Sequence, residues 1–302
     1  MQQFPVLDLD RVSVAELRDA CARWGFFAVR GHGIPGEVID ALRAASRAFF
    51  LGDRGNKRAV LRSAGNTWGY YDEELTKNVR DWKEIFDVGP AGPSAEAQWP
   101  GQPEGFREAL EVYSDQAHRL ALTLLDRVTE AFGGRSQKRC FDDHTSFLRL
   151  NYYPPCDDPA PADADTVPEA GHLGISHHTD AGALTVLDQA DVAGLQVLQG
   201  GVWFDVLVFD DALVINVGDI VQVWSNDLFA APVHRVLASA GERFSTAYFL
   251  NPSESTVYAP LVEASARYRP ILWKTFRQAR ADGDYANQGE EVQISHFAVN
   301  QR

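Results

Sequence analysis

His178 and Asp180 stand two residues apart in "HHTDAG" (177–182), directly before the apolar run "ALTVL". In an extended strand, residues i and i+2 point to one face, so this pair can chelate one ion while His177 turns to the other side. An imidazole and a carboxylate together suit Fe(II), Mn(II) or Zn(II). A further ligand must come from elsewhere among the eight histidines. His32, His118, His144 and His296 sit in helical or loop settings without ligand spacing. His172 lies in a loop, which positions a ligand less firmly, and His234 opens the strand-like "VHRVL".

A second constellation follows His234. If Ala240-Gly241 is a hairpin turn, His234 faces Ala247, and His234, Arg243 and Ser245 share one side, with Arg243 about 13 Å from His234 along the strands. That reach suits a small dicarboxylate with one end on the metal and the other on Arg243. A guanidinium forks onto a carboxylate, and a serine hydroxyl adds a further bond. Asn151 and Tyr153 in "RLNYY" share a face and could donate to the same anion. Each residue alone has an ordinary explanation: a chance H-x-D, a surface arginine, a strand serine, a rim tyrosine. Their joint occurrence in consistent positions is far more specific.

The elements that must carry these residues are legible. "FPVLDL" (4–9) reads as a strand. "SVAELRDACARWG" reads as a helix with Ser13 and Glu16 as a capping box. "FFAVRGHGIP" (26–35) reads as a strand and turn, and 35–50 as a helix opened by proline. The stretch 51–100 has no clear period. Residues 103–134 form the longest predicted helix, closed by two glycines. After 145, short β-type runs alternate with turn signals: "SFLRLNYY", "GALTVLDQ", "LQVLQGGVWFDV", "ALVINVGDIVQVW" and "HRVLASAGERFSTAYFL". Gly200-Gly201 and Ala240-Gly241 read as hairpin turns. Helical period returns over 268–283. The segment 154–174, rich in Pro, Asp and Ala, reads as a surface loop or lid. The pattern predicts a mainly β chain with flanking helices, a sandwich or closed double sheet. It reads as a single domain over 1–302: a helical and mixed part to 140, a β core over 145–260, and a C-terminal helix and tail from 265.

Bulk properties narrow the function. The 302 residues carry a net charge of −14 with 28 scattered Lys and Arg, which disfavours a nucleic-acid partner and favours a small-molecule one. Three cysteines without a C-x-x-C pair fit reduced thiols and a cytoplasmic location. No apolar run is long enough for a membrane span, and the first thirty residues hold no signal-peptide core. Oligomeric state is not legible.

With these residues in place, the sequence resembles the Fe(II)- and 2-oxoglutarate-dependent dioxygenases, in the isopenicillin N synthase-like branch that also holds many plant small-molecule oxygenases. The matching segments are "HTDAGALTVLDQ" (178–189), "NYYPP" (151–155), "LVINVGDIVQVWSND" (213–227), "VHRV" (233–236) and "RFSTAYFLNP" (243–252), with "ACARWGFFAVRGHGIP" (20–35) before them and "RYRPILWKTF" (267–276) after. Two features depart from the branch: a longer loop over 156–174, and "RGHGIP" where many relatives carry Asn before His-Gly.

The resemblance implies a double-stranded β-helix of jelly-roll type. It implies His178, Asp180 and His234 as ligands of Fe(II), and Arg243 and Ser245, assisted by Tyr153 and Asn151, as the site for the far carboxylate of 2-oxoglutarate. The implied reaction consumes O2, releases succinate and CO2, and hydroxylates a small metabolite, with desaturation or ring closure as variants. Phe147, Tyr70, Tyr71 and Phe249 are candidate substrate contacts, for an apolar or ring-bearing metabolite. Two alternatives stand beside this reading. One is an isopenicillin N synthase-like oxidase that uses no 2-oxoglutarate, in which Arg243 and Ser245 bind a substrate carboxylate. The other is a metal-free binding module on the same scaffold.

Overall fold

In the computed structural model, residues 4–63, 65–90, 96–164, 170–262, 265–283 and 289–299 are described. The chain opens with β1 (Val6–Asp8), α1 (Val14–Arg23), β2 (Phe26–Arg30), α2 (Gly36–Phe50) and the short α3 (Arg54–Arg58). The start of α1 is fixed as its sequence predicts: Ser13 Oγ accepts from Glu16 N at 3.2 Å, and Ser13 N donates to the Glu16 carboxylate at 2.9 Å. The stretch without clear period holds four short strands, β3 (Gly69–Tyr71), β4 (Leu75–Thr76), β5 (Val79–Arg80) and β6 (Glu84–Val88), followed by α4 (Phe106–Ala131).

The second half supplies β7 (Phe147–Tyr153), β8 (Leu173–His178), β9 (Leu184–Asp188), β10 (Leu195–Gln199), β11 (Val202–Asp205), β12 (Leu213–Val217), α5 (Asp219–Trp224), β13 (His234–Leu237) and β14 (Arg243–Leu250). A small pair, β15 (Val257–Tyr258) and β16 (Ile271–Leu272), leads into α6 (Trp273–Gly283). Eight strands form one sheet in the order β1-β2-β12-β9-β14-β7-β6-β3, and four form another, β11-β10-β13-β8. The two sheets line a common cavity, the large one through β7, β9, β12 and β14, the small one through β8, β10 and β13. This is the double-stranded β-helix that the resemblance implies.

Strand alternation explains where the core lies. On β7 and β14, Leu148, Leu150, Tyr152, Phe244, Tyr248 and Leu250 point outward into the main hydrophobic core, and α4 packs against β7, β9 and β14. The residues between them, Phe147, Arg149, Asn151 and Tyr153 with Arg243, Ser245, Ala247 and Phe249, point into the cavity.

Four expectations are corrected. Ala240-Gly241 is not a hairpin turn: β13 pairs with β8 and β10, whereas β14 pairs with β7 and β9. The short connection passes from one sheet to the facing one, so His234 and Arg243 meet across the cavity rather than along a ribbon. The run "GDIVQVW" is the helix α5, whose β-branched, wholly buried residues imitate a strand. Helix α6 starts at Trp273, after Pro270 and the β16 pairing. The strand that carries His178, β8, begins at Leu173, inside the 154–174 segment read as a loop, and ends at His178, before Asp180. By contrast, Gly200 and Gly201 form the expected hairpin, with φ of 58° and 81° and Gln199 opposite Val202.

The 154–174 segment is fastened to the outside of the small sheet. Arg235, fully buried, donates to the carbonyls of Ala162 and Ala164 at 3.0 Å each, donates to Gln196 Oε1 at 2.9 Å, and stacks 4.1 Å from the Trp203 ring. None of the segment's described residues lines the cavity; residues 165–169 lie outside the described residues.

Candidate metal and cosubstrate site

His178 ends β8 and His234 opens β13, directly opposite one another in the register, with ring centroids 4.2 Å apart. Asp180 lies two residues past His178, just beyond the strand end, and turns back toward the pair. Its Oδ1 stands 3.6 Å from Nε2 of each histidine. Among the described residues this is the one group of three or more His, Cys, Asp or Glu side chains close enough to hold an ion. His177 is not among the cavity-lining residues.

Each ligand atom is oriented by a fixed partner. The Nδ1 of His178 lies 2.8 Å from the Ser176 carbonyl and that of His234 3.0 Å from the Pro232 carbonyl. A carbonyl only accepts, so both Nδ1 atoms carry the proton and both Nε2 lone pairs face the site. Burial and the neighbouring His234 push the His178 imidazole down to about 4, which keeps it neutral. For Asp180, burial works against the charge, but the carboxyl is held below the usual range: a proton on either neighbouring imidazole would favour the carboxylate, and the Thr185 hydroxyl donates to it.

The second carboxylate oxygen is occupied. Asp180 Oδ2 accepts from Thr185 Oγ1 at 2.5 Å and from Asn216 Nδ2 at 2.8 Å. Thr185 and Asn216 are a cross-strand pair on β9 and β12. The carboxylate therefore has one oxygen, Oδ1, left to face the two Nε2 atoms. Two further bonds fix the metal loop: Asp219 N donates to the Asp180 carbonyl at 2.8 Å, and Arg280 Nη2 donates to the Thr179 carbonyl at 2.7 Å. Sequence reasoning missed Thr185 and Asn216. The signal for the second was an Asn inside the apolar strand "LVINV", a polar group that burial penalises unless it is bonded. Thr185→Val keeps the shape of the side chain and removes its hydrogen bond. We expect Fe(II) affinity to fall about tenfold or more, read by anaerobic metal titration.

On the facing sheet, Arg243 pairs with Tyr153 and Ser245 with Asn151 across β14 and β7. All four are buried. Arg243 Cζ lies 4.8 Å from the Tyr153 ring, Nε donates to the Val192 carbonyl at 3.0 Å, and Nη1 reaches Ser245 Oγ at 3.4 Å. Among the described residues no carboxylate pairs with Arg243, which is 2% exposed. A guanidinium buried without a counter-ion is costly, so this end of the cavity fits an anion such as the far carboxylate of 2-oxoglutarate. The donor set of His178, Asp180 and His234 likewise fits Fe(II).

The cavity's other end is aromatic. Phe147 and Phe249 stack with centroids 4.8 Å apart, and Trp273 joins them from α6. Arg243 and Phe249 are six strand steps apart, about 20 Å. Tyr70 and Tyr71 do not line the cavity. The Tyr70 hydroxyl donates to Glu84 at 2.8 Å inside the core, and the Tyr71 ring packs 5.4 Å from the Arg62 guanidinium. The odd-numbered β7 residues turn inward, while these two belong to the short β3 two strands away.

Comparison with known proteins agrees with this geometry. Residues 144–252 match the 2OG-Fe(II) oxygenase superfamily, and residues 4–105 match the N-terminal region described as non-haem dioxygenase in morphine synthesis. The chain belongs to the 2OG-Fe(II) oxygenase superfamily. Among curated relatives of this oxygenase, Jasmonate-induced oxygenase 4 of Arabidopsis thaliana is 31% identical, over 91% of this chain and 80% of that protein. Gibberellin 2-beta-dioxygenase 5 of Oryza sativa subsp. japonica is 30% identical, over 98% and 87%. The crystal structure of JOX2 in complex with 2OG, Fe and JA superposes with a TM-score of 0.79 at 29% identity, covering 91% of this chain and 84% of that one. The protein is a 2-oxoglutarate-dependent, Fe(II)-containing oxygenase of small molecules that uses O2. No helix among the described residues is long and apolar enough to cross a membrane.

Proposed function

We propose that His178, Asp180 and His234 hold the iron, that Arg243 and Ser245 with Tyr153 and Asn151 hold the far carboxylate of 2-oxoglutarate, and that the oxygenase hydroxylates a largely apolar metabolite seated against Phe147 and Phe249. When bound, iron and the keto acid supply the oxidation, with release of succinate and CO2. The observation that carries the reading is the buried guanidinium of Arg243, without an acidic partner among the described residues, at one end of the inward ladder that faces the His–Asp–His cluster. Thr185 and Asn216 keep Asp180 on one oxygen. Asn151 Nδ2 lies 3.5 Å from Ser245 Oγ, which orients the hydroxyl toward the anion end. The aromatic pair excludes water from the oxidised end and favours an apolar body. In this reading residues 1–302 act as one catalytic unit, because β1 and β2 extend the sheet that carries Arg243. Three unbridged cysteines support a reducing, cytoplasmic setting.

The test is anaerobic. Fe(II) and then 2-oxoglutarate are added to the apoprotein, and a weak visible charge-transfer band is expected with both and with neither alone. Iron bound without such a band would turn the assignment toward the oxidase that uses no keto acid, with Arg243 and Ser245 on the substrate's own carboxylate.

A further inference from the structure

The strand that delivers His178 is an end strand of the small sheet, and its ladder is irregular just before the ligand. His178 faces His234 and Ile175 faces Val236, so three steps along β8 oppose two along β13. That is a bulge, which disrupts the ladder and re-aims the side chains around it. Ser176 lies inside it. Its carbonyl is the acceptor that fixes His178 Nδ1, 2.8 Å away. A ligand ring oriented by a bulged peptide needs that peptide held from elsewhere.

The hold comes from the N-terminal half. β4 and β5 form a hairpin whose turn residues, Lys77 and Asn78, take φ of 50° and 63°. Asp81 N closes the hairpin on the Glu74 carbonyl at 3.1 Å. Asp81 then meets β8: its Oδ1 accepts from Ser176 N at 3.0 Å, and the next residue, Trp82, donates its N–H to the Leu173 carbonyl at 3.0 Å. Asp81 Oδ2 accepts from Thr76 Oγ1 at 2.7 Å and lies 3.1 Å from Lys83 Nζ. Lys83 also binds Glu74, 2.7 Å away, and Glu74 and Asp87 together accept from Arg149 at 2.8–3.0 Å. Burial raises the Asp81 carboxyl above its usual range, against the pull of Lys83. A buried acid is costly without partners, and the one partner of its side chain outside 76–83 is the Ser176 peptide.

We propose that Asp81 is a positioning residue for the metal centre: by clamping the Ser176 peptide it sets the ring orientation of His178. The inference rests on the ligand set proposed above and adds to it a residue that does not line the cavity. The effect is one-sided. His234 Nδ1 is held by the Pro232 carbonyl, on a different segment, so Asp81 acts on one imidazole and not on the other.

The probe is Co(II), added alone to the apoprotein. Its affinity is read by calorimetry. The two imidazole Nδ1–H protons, shifted away from other resonances by the paramagnetic ion, are read by proton NMR. Asp81→Ala is expected to lower Co(II) affinity about tenfold or more and to move or broaden the His178 N–H resonance while that of His234 stays. Asp81→Asn keeps an acceptor for Ser176 N and is expected to restore most of the affinity. Asp81→Glu keeps the charge but displaces the acceptor by one methylene, and is expected to behave like the alanine variant. The Asn and Glu pair carries the test if Asp81→Ala does not fold. Leu124→Ala opens a cavity in the core under α4; it is expected to lower thermal stability and leave both resonances in place. An unmoved His178 resonance in Asp81→Ala and Asp81→Glu overturns the proposal, as does equal displacement of both imidazoles or the same effect in Leu124→Ala. If the unmutated protein binds no Co(II), or shows no such N–H resonances, the ligand set itself fails, so the two failures are distinguishable.

Discussion

Replacing Asp180 with alanine is expected to abolish turnover and to weaken Fe(II) binding by more than about 100-fold, beyond the range typical of lost outer partners. The side chain supplies the negative charge of the site and the oxygen 3.6 Å from both imidazole Nε2 atoms. Its loss leaves two imidazoles without their carboxylate, and it leaves the Thr185 hydroxyl and the Asn216 amide with no acceptor where Oδ2 had been. Two consequences are separable. Anaerobic titration reads the metal affinity, and succinate formation at saturating Fe(II) reads what catalysis remains. A variant that binds iron normally, or that still oxidises substrate, would remove Asp180 from the ligand set.

Arg243→Ala is the second large effect. A charge-assisted hydrogen bond to a buried carboxylate contributes roughly 1.5–3 kcal/mol, so the 2-oxoglutarate dissociation constant is expected to rise about 10- to 150-fold. Iron affinity should be unchanged, because Arg243 lies on the large sheet and touches none of the ligands. Arg243→Lys should fall between, since a lysine cannot fork onto a carboxylate. The apoprotein should lose little stability. The cation has no acidic partner among the described residues, and removing an unpaired buried charge offsets the lost contacts with Val192 and Tyr153. Unchanged cosubstrate dependence would contradict the role.

Much of this site is legible in the sequence because its parts obey short-range rules. The capping box at Ser13, the Gly200-Gly201 turn and the inward phase of 151, 153, 243 and 245 follow from strand and helix periods, whereas Asp180 joins His178 from just beyond the strand end rather than by strand alternation. What is not legible is pairing between distant segments. The connection at 240–241 looks like a hairpin because a tight turn between strands usually is one; in this fold it crosses between facing sheets, and the correct faces emerge only because alternation holds within each strand. Arg149 looks like an odd charge in a strand until Glu74 and Asp87 are brought to it from the stretch without period. Arg277 lies on a helix whose orientation depends on β15 and β16, two-residue strands too short for any pattern. Of the four aromatic substrate candidates, the two on long strands line the cavity. The two on the three-residue β3 do not, since a strand that short carries no phase.

The Arg243 end of the cavity, proposed above for the cosubstrate, is a cul-de-sac among the described residues. Arg243, Ser245, Tyr153 and Asn151 are all buried, whereas Phe249, Arg277, Arg280 and Glu291 at the other end are partly open to solvent. The segment 154–164 is tied down on the far side of the small sheet by Arg235 and does not line the cavity. Both reactants thus share one corridor, and the one that goes deepest must enter first and leave last. Traffic through the oxygenase is a queue: preincubation with a tight substrate mimic should slow the uptake of 2-oxoglutarate, and the oxidised product should clear before succinate does.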